Sequence, residues 1–189
     1  MPQLWVVAGP NGAGKTTIAE RWLASRIPVI SPDTLAGIHG LSPLQAGKMA
    51  IREQEKLLSS RSSFAVDTTF SGNRELEMMR RAKAAGYKVN LIFIFVFRDP
   101  PYAKPELRSG FRAEDIPSLP KDVARRFERS LANLKCAFDI AERIFVLDNT
   151  GESHRLILSV ECGQLKHFSR NTPFWTKQAI PERFIEKML

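Results

Sequence analysis

Cysteine is scarce: Cys136 and Cys162 are the only two in a chain of 189 residues, far apart and with no CxxC spacing. This scarcity excludes a disulfide scaffold and a cysteine zinc site, fits a reducing cytoplasm, and reads both thiols as small buried hydrophobes. No apolar run approaches the roughly 18 residues of a membrane span. The longest, Leu91 to Phe97, has the length of a strand. The N-terminal stretch has no basic segment of the kind that opens a secretion signal, and its apolar residues break at Gly9-Pro10. Internal repeats and low-complexity tracts are missing. So is metal-ligand spacing among His39, His154 and His167, to which no role is assigned.

What is present is an ordinary globular composition, 43% hydrophobic and 25% charged, which excludes disorder over the whole chain. Lys and Arg number 28 against 20 Asp and Glu, a net charge of +8 that favours anionic partners: phosphorylated metabolites, nucleotides, nucleic acid or an acidic protein. At this length the default is one domain, residues 1–189.

Short apolar runs alternate with longer amphipathic ones. Strands are expected at Leu4–Ala8, Pro28–Ile30, Phe64–Val66, Val89–Phe97 and Ile144–Leu147. Helices are expected from Lys15 to about Ser25, after the Ser42-Pro43 cap to about Ser60, from an Asn73 cap to Gly86, and over Lys121–Ala141. Val123, Phe127, Leu131 and Leu134 form the apolar stripe of the last. Residues 98–120, with Pro100, Pro101, Pro105, Pro117 and Pro120, read as a loop or lid. Residues 152–189 read as an edge extension, with a hairpin of Arg155–Glu161 and Gln164–Phe168 turning at Cys162-Gly163, and with Phe174, Trp175 and Phe184 packed on the domain edge. The expected fold is α/β: a three-layer architecture with a five-stranded, mostly parallel sheet, helices on both faces, and the hairpin added at one edge.

In such a sheet ligands bind beyond the carboxyl ends of the strands. Polar residues cluster there: Gly9–Thr16, Asp33, Asp67-Thr68-Thr69, Arg98-Asp99 and Asp148-Asn149. Gly9-Pro10-Asn11-Gly12-Ala13-Gly14-Lys15-Thr16 fits GxxxxGK[ST] in full, between a strand and a helix, with Thr17 following. Its glycines let backbone N–H groups wrap a phosphate at a helix N-terminus. Lys15 is the candidate for the β- and γ-phosphates, Thr16 for Mg²⁺ and Asp67 for a second metal contact. A GTPase would carry an NKxD base-recognition signal and none is present, so ATP is the expected nucleotide.

Transfer to an acceptor needs a group for the hydroxyl proton, and Asp33 is the candidate base, against the plainer reading of Ser31-Pro32-Asp33 as a turn or cap. Asp67, Thr68 and Thr69 are candidates for a substrate hydroxyl. Counter-charges for the phosphoryl group are sought among Arg108, Arg112, Arg125, Arg126 and Arg129, with Arg125 and Arg126 the preferred catalytic pair and Arg108 and Arg112 the preferred substrate contacts. A solvated, salt-bridged face, with Arg126 paired to Asp122 one turn earlier, is the plainer alternative.

Gly9–Thr17, Ser31-Pro32-Asp33, Phe64–Ser71 (FAVDTTFS), Asp148-Asn149-Thr150-Gly151 and above all Pro120–Leu134 (PKDVARRFERSLANL) resemble the zeta toxin-like family of P-loop kinases, over most of residues 1–151. The resemblance implies an ATP-dependent kinase for the 3′-hydroxyl of the amino sugar in UDP-N-acetylglucosamine. It implies Lys15 on phosphate, Asp33 as base, lid-helix arginines on the transferred group, and a small helical antitoxin as partner. The chain departs from the family at Asp67, where relatives often carry glutamate, and near Asp115-Ile116-Pro117, where they often carry Gly-Gly-His. It is also shorter than the classical toxins. Two other readings stand beside this one: a kinase for a nucleoside, a polynucleotide end or another metabolite, and a non-enzymatic ATP-binding member of a regulatory pair. Nucleic acid is not favoured, because no aromatic-and-basic stacking patch stands out.

Overall fold

In the computed structural model, residues 1–96, 121–151, 153–173 and 175–186 are described, without the side chains of 121–124 and 177–178. The lid expected at 98–120 therefore lies outside the described residues, and so do Arg108, Arg112 and Phe174.

Five parallel strands carry the fold: β1 (Gln3–Ala8), β2 (Val29–Ile30), β3 (Phe64–Thr68), β4 (Lys88–Phe95) and β5 (Arg143–Asp148). The antiparallel hairpin β6 (Arg155–Glu161) and β7 (Gln164–Phe168) extends β5, and the sheet order is β2-β3-β1-β4-β5-β6-β7. The near-continuous apolar run in β4 follows from its place between β1 and β5, where both faces are covered. Leu91, Phe93 and Phe95 enter one core with Leu4, Val6 and Val66, while Ile92 and Ile94 enter the opposite core with Val7 and Ala65. The period of two in strand side chains sorts the same run into two layers.

Helix α1 (Lys15–Trp22) covers the second face through Ile18 and Ala19, with Leu23 just beyond its end. The first face carries α4 (Arg74–Ala84), through Leu76, Met79 and Ala82, and α5 (Lys121–Ala137), through Leu131 and Leu134. α2 (Pro32–His39) packs on α3 (Pro43–Ser59), which runs beside β2 and β3. Two short C-terminal helices, α6 (Thr176–Ala179) and α7 (Glu182–Ile185), bring Trp175 and Phe184 fully into the first core, Trp175 stacking on Phe95 with ring centroids 4.4 Å apart. Packing is thus the role of these aromatics, as expected.

Three local expectations are corrected. Ser31-Pro32 is not an isolated turn but the start of α2: Ser31 is the N-cap, its hydroxyl facing the Thr34 N–H, and proline takes the first helical position. The Ser42-Pro43 start of α3 uses the same device and completes a capping box with Gln45. Asn73 precedes α4 as expected, but its side chain makes no capping bond. The cysteines are exposed rather than buried. Cys136 lies on the outer side of α5, and Cys162, at φ 49°, forms with Gly163, at φ 74°, the tight turn joining β6 to β7.

Where β1 ends, Gly9 has φ 145° and packs against the backbone of β4. A Cβ there would run into the carbonyl oxygen of Ile94, and an L side chain rarely adopts that φ. Gly9→Ala is expected to cost about 2–5 kcal/mol, backbone strain and overpacking together. A denaturant midpoint unchanged from the parent would refute this.

Candidate active site

The carboxyl ends of β1, β2 and β3 open into one cleft. Residues 9–14 leave β1 as a loop whose ends are tied down: the Gly9 N–H donates to the Thr68 carbonyl at 3.2 Å, and the Ala13 N–H to the Pro10 carbonyl at 3.2 Å. Gly14, at φ 87°, lets the loop enter α1, and a Cβ on it would meet Asn149 Nδ2 and His154 Nε2, each at 3.0 Å. Asn149, just beyond β5, donates from Nδ2 to the Ala13 carbonyl at 3.1 Å, so the segment after the last parallel strand braces the loop. Asp148 is held in turn by the Thr150 hydroxyl at 2.6 Å and by Arg155 at 3.1 Å.

Lys15, the first residue of α1, is buried, and its Nζ donates to the Pro10 carbonyl at 3.0 Å, within its own loop. It also lies 3.9 Å from Asp67 Oδ1. The other Asp67 oxygen accepts from the Thr16 hydroxyl at 3.1 Å. The β1–β3 register sets Asp67 opposite Val7 and Thr68 opposite Ala8, which places the carboxylate beside the root of the loop. Asp33, in the first turn of α2, is exposed at the cleft, where its charge acts on both Lys15 and Asp67.

Burial pushes the Lys15 ammonium below its ordinary value, and attraction from Asp67 and then from Asp33 opposes that shift. Burial also pushes the Asp67 carboxyl up; Lys15 and the Thr16 hydroxyl oppose the shift, and Asp33 adds to it. The pair is thus a desolvated ammonium and carboxylate just beyond hydrogen-bond reach of each other. Such a site gains from a ligand that brings its own charges.

The donor set fits a magnesium–nucleotide complex. Thr16 Oγ1 and the Asp67 carboxylate are hard oxygen donors already in contact, and Mg²⁺ characteristically takes one or two protein oxygens and completes its shell with phosphate and water. Among the described residues no group of three or more His, Cys, Asp or Glu stands ready to hold a metal unaided.

The cleft has a volume of about 370 Å³. One side is Asn11, Lys15, Asp33, Asp67, Thr68 and Thr69, the residues the sequence singled out. The other side was not anticipated: Ala50, Ile51 and Gln54 of α3, and Arg74, Glu75 and Met78 of α4. Glu75 Oε1 accepts from the Thr68 hydroxyl at 3.0 Å, which links α4 to the end of β3. The 69–72 segment holds Phe70 at φ 58°, a conformation costing a non-glycine residue about 1–3 kcal/mol. Asn133 offsets it: this buried α5 side chain donates to the carbonyls of Phe70 at 2.9 Å and Gly72 at 2.8 Å. The RRFERSLANL stretch therefore braces the segment that follows β3 through its asparagine. Its arginines are placed differently: Arg125 and Arg126 are exposed on α5 and are not among the residues lining the cleft. The Asp122 side chain, expected beside Arg126, lies outside the described residues.

No family model matches the chain. An uncharacterized protein of Haemophilus influenzae is 30% identical over 131 residues, 60% of this chain and 94% of the relative. Among solved structures, a chain of the AvrRxo1-ORF1:AvrRxo1-ORF2 complex crystallised with ATP superposes with a TM-score of 0.62 at 20% identity, over 96% of this chain. This chain spans just under two thirds, 64%, of that protein's length. A chain of the PezAT chromosomal toxin–antitoxin system of Streptococcus pneumoniae superposes with a TM-score of 0.59 at 18% identity, over 95% of this chain and 77% of its own. Among the described residues no helix is long and apolar enough to cross a membrane. The chain belongs to one family with the Haemophilus influenzae protein, and it shares its fold with the matched chains of the AvrRxo1-ORF1:AvrRxo1-ORF2 and PezAT structures.

Proposed function

We propose that the protein is an ATP-dependent phosphotransferase that moves the γ-phosphoryl group to a hydroxyl of an anionic acceptor, a nucleotide sugar such as UDP-N-acetylglucosamine. The observation that carries this reading is convergence: a full phosphate-binding loop, the Thr16–Asp67 pair and Asp33 meet at one cleft beyond β1, β2 and β3. A nucleotide-gated switch has no need of a second wall facing the phosphate loop; a transferase does, for its acceptor.

In this reading the loop amides and Lys15 hold the transferred group and spread its charge, while Thr16 and Asp67 hold Mg²⁺. Asp33 accepts the proton of the attacking hydroxyl as the new P–O bond forms and the bond to the ADP oxygen breaks; ADP and a monophosphorylated acceptor leave. Arg125 and Arg126 reach the phosphoryl group from α5 when acceptor and donor are both bound.

The structural likeness to an ATP-containing complex supports ATP as donor. The AvrRxo1-ORF1:AvrRxo1-ORF2 and PezAT assemblies support a small antitoxin-like partner. Two exposed free thiols support a reducing, cytoplasmic setting.

Incubation with Mg-ATP and UDP-N-acetylglucosamine is expected to give a monophosphorylated product by mass spectrometry. Intact ATP binding with no such product would remove this acceptor, and a screen of nucleosides and polynucleotide ends would decide between the remaining kinase readings.

A further inference from the structure

The cleft is also lined by a cation, Arg74, whose charge is only loosely paired. Arg74 opens α4 with about a third of its side chain exposed (37%) and lines the cleft that also holds Asp33. Among the described residues its guanidinium donates one hydrogen bond, from Nη2 to the neutral Gln54 Oε1 at 3.1 Å. Its carboxylate neighbour, Glu55, stands 4.0 Å away, beyond hydrogen-bond reach. Glu55 is already taken: Arg81 grips both its oxygens, at 2.9 and 2.7 Å. That fork satisfies Glu55 and leaves Arg74 fixed in direction by Gln54 but largely unspent. A guanidinium has five N–H donors in a planar fork suited to an oxyanion.

The surroundings shape the rest of the ligand. Ala50, Ile51 and Met78 give the same cleft an apolar surface, and Ile51 is 42% exposed. The volume of about 370 Å³ is at the small end of the range for ligand pockets. Lys15 is folded into the phosphate loop, so among the described lining residues Arg74 is the cation left for the acceptor.

We infer that Arg74, aimed by Gln54, anchors an oxyanion of the acceptor in the cleft it shares with the phosphate loop, with the acceptor's carbon skeleton on Ala50, Ile51 and Met78 and its reacting hydroxyl at Asp33. This deepens the kinase reading and rests on it. The substrate class is a phosphorylated or carboxylated hydroxy compound, carrying an anion for Arg74 and a hydroxyl for Asp33. Arg74 is a specificity residue and takes no part in proton or phosphoryl transfer.

The test titrates matched pairs into protein saturated with a non-hydrolysable ATP analogue, read by calorimetry. The pairs are N-acetylglucosamine against its 1-phosphate and UDP-N-acetylglucosamine, uridine against UMP, and glucose against glucuronate. The unaltered protein is expected to bind at least one anionic member roughly 10–100-fold more tightly than its neutral counterpart. Arg74→Gln is expected to erase that preference, with the affinity for the ATP analogue and the melting temperature unchanged. Arg74→Lys restores only part of it, because an ammonium lacks the fork. The phosphate and carboxylate pairs tell the two oxyanion sources apart.

An anionic preference that survives Arg74→Gln would overturn the inference and assign the anchor elsewhere. The absence of any such preference in the unaltered protein would overturn it too. In both cases retained ATP-analogue binding would leave the kinase reading standing, whereas failure of the unaltered protein to bind the ATP analogue would overturn that reading and the inference with it.

Discussion

Lys15→Ala is expected to lower phosphoryl transfer by roughly 10³-fold, the scale on which removing a preorganised charge-stabilising donor acts. The fold is expected to survive. Among the described residues Lys15 Nζ donates only within its own loop, to Pro10, and its burial works against its charge rather than for it. The same substitution carries a signature in the pH dependence of stability. Asp67 is held above the ordinary carboxylate value by burial, and Lys15 is the strongest influence opposing that shift. Without Lys15 the folded Asp67 binds its proton more tightly still. A carboxyl whose folded pKa exceeds its unfolded one contributes stability that is complete below the unfolded value and is lost as pH rises through the folded value. The ligand-free variant is therefore expected to lose more stability than the parent as pH climbs from the ordinary carboxylate range through Asp67's raised value. Chemical denaturation at several pH values measures this. Parallel curves for variant and parent would show that Lys15 and Asp67 are not coupled, and full transfer activity in the variant would remove Lys15 from the site.

The parts of this molecule that could be read from sequence are those where one local rule dominates. The phosphate loop is legible because close backbone approach demands glycine at fixed spacing. Gly9 against Ile94 shows the demand directly. β4 is legible because burial on both faces makes Leu91–Phe95 apolar without a break, Asn90 being the one buried polar residue within the strand. The terminal hairpin is legible from two short runs with glycine between them, although its Cys162 occupies a left-handed position that no sequence rule assigns to cysteine. α2 is not legible although Ser31-Pro32 carries the same start signal as Ser42-Pro43. It spans only Pro32–His39 and buries no residue, so no apolar stripe announces it.

The far wall of the cleft was illegible for a different reason. Gln54, Arg74 and Glu75 lie on amphipathic helices among many other charged residues, and sequence spacing does not say which polar face of α3 meets which of α4. The Arg81–Glu55 fork decides that, and with it which arginine is left facing the cleft. Asn133 lay inside a quoted motif, but its role as the donor to Phe70 and Gly72 depends on α5 crossing the end of β3. The arginines beside it drew attention because charge is visible in a sequence and a buried amide is not.

Asp33→Asn is expected to retain ATP binding and lose transfer by roughly 10²–10⁴-fold, the range a positioned general base supplies. The case rests on placement. Asp33 sits in the first turn of α2, whose start is fixed by the Ser31 cap and by proline at the first helical position, so the carboxylate is presented from a rigid element. Asparagine keeps the shape and the fit to the helix start, but it cannot take a proton. An effect confined to kcat, with the affinity for the ATP analogue and the KM for the acceptor near their parent values, is the signature of a base. Asp33 also acts electrostatically on Lys15 and on Asp67, so a purely structural or charge-balancing role predicts something else: a change in nucleotide or Mg²⁺ affinity, with transfer falling in proportion. Measuring ATP-analogue affinity with and without Mg²⁺ beside single-turnover transfer separates the two. If Asp33→Asn transfers at the parent rate, the proton goes elsewhere, and Asp67, the remaining singled-out carboxylate of the cleft, becomes the residue to test. Its raised proton affinity would then serve the reaction directly instead of through Thr16 and the metal.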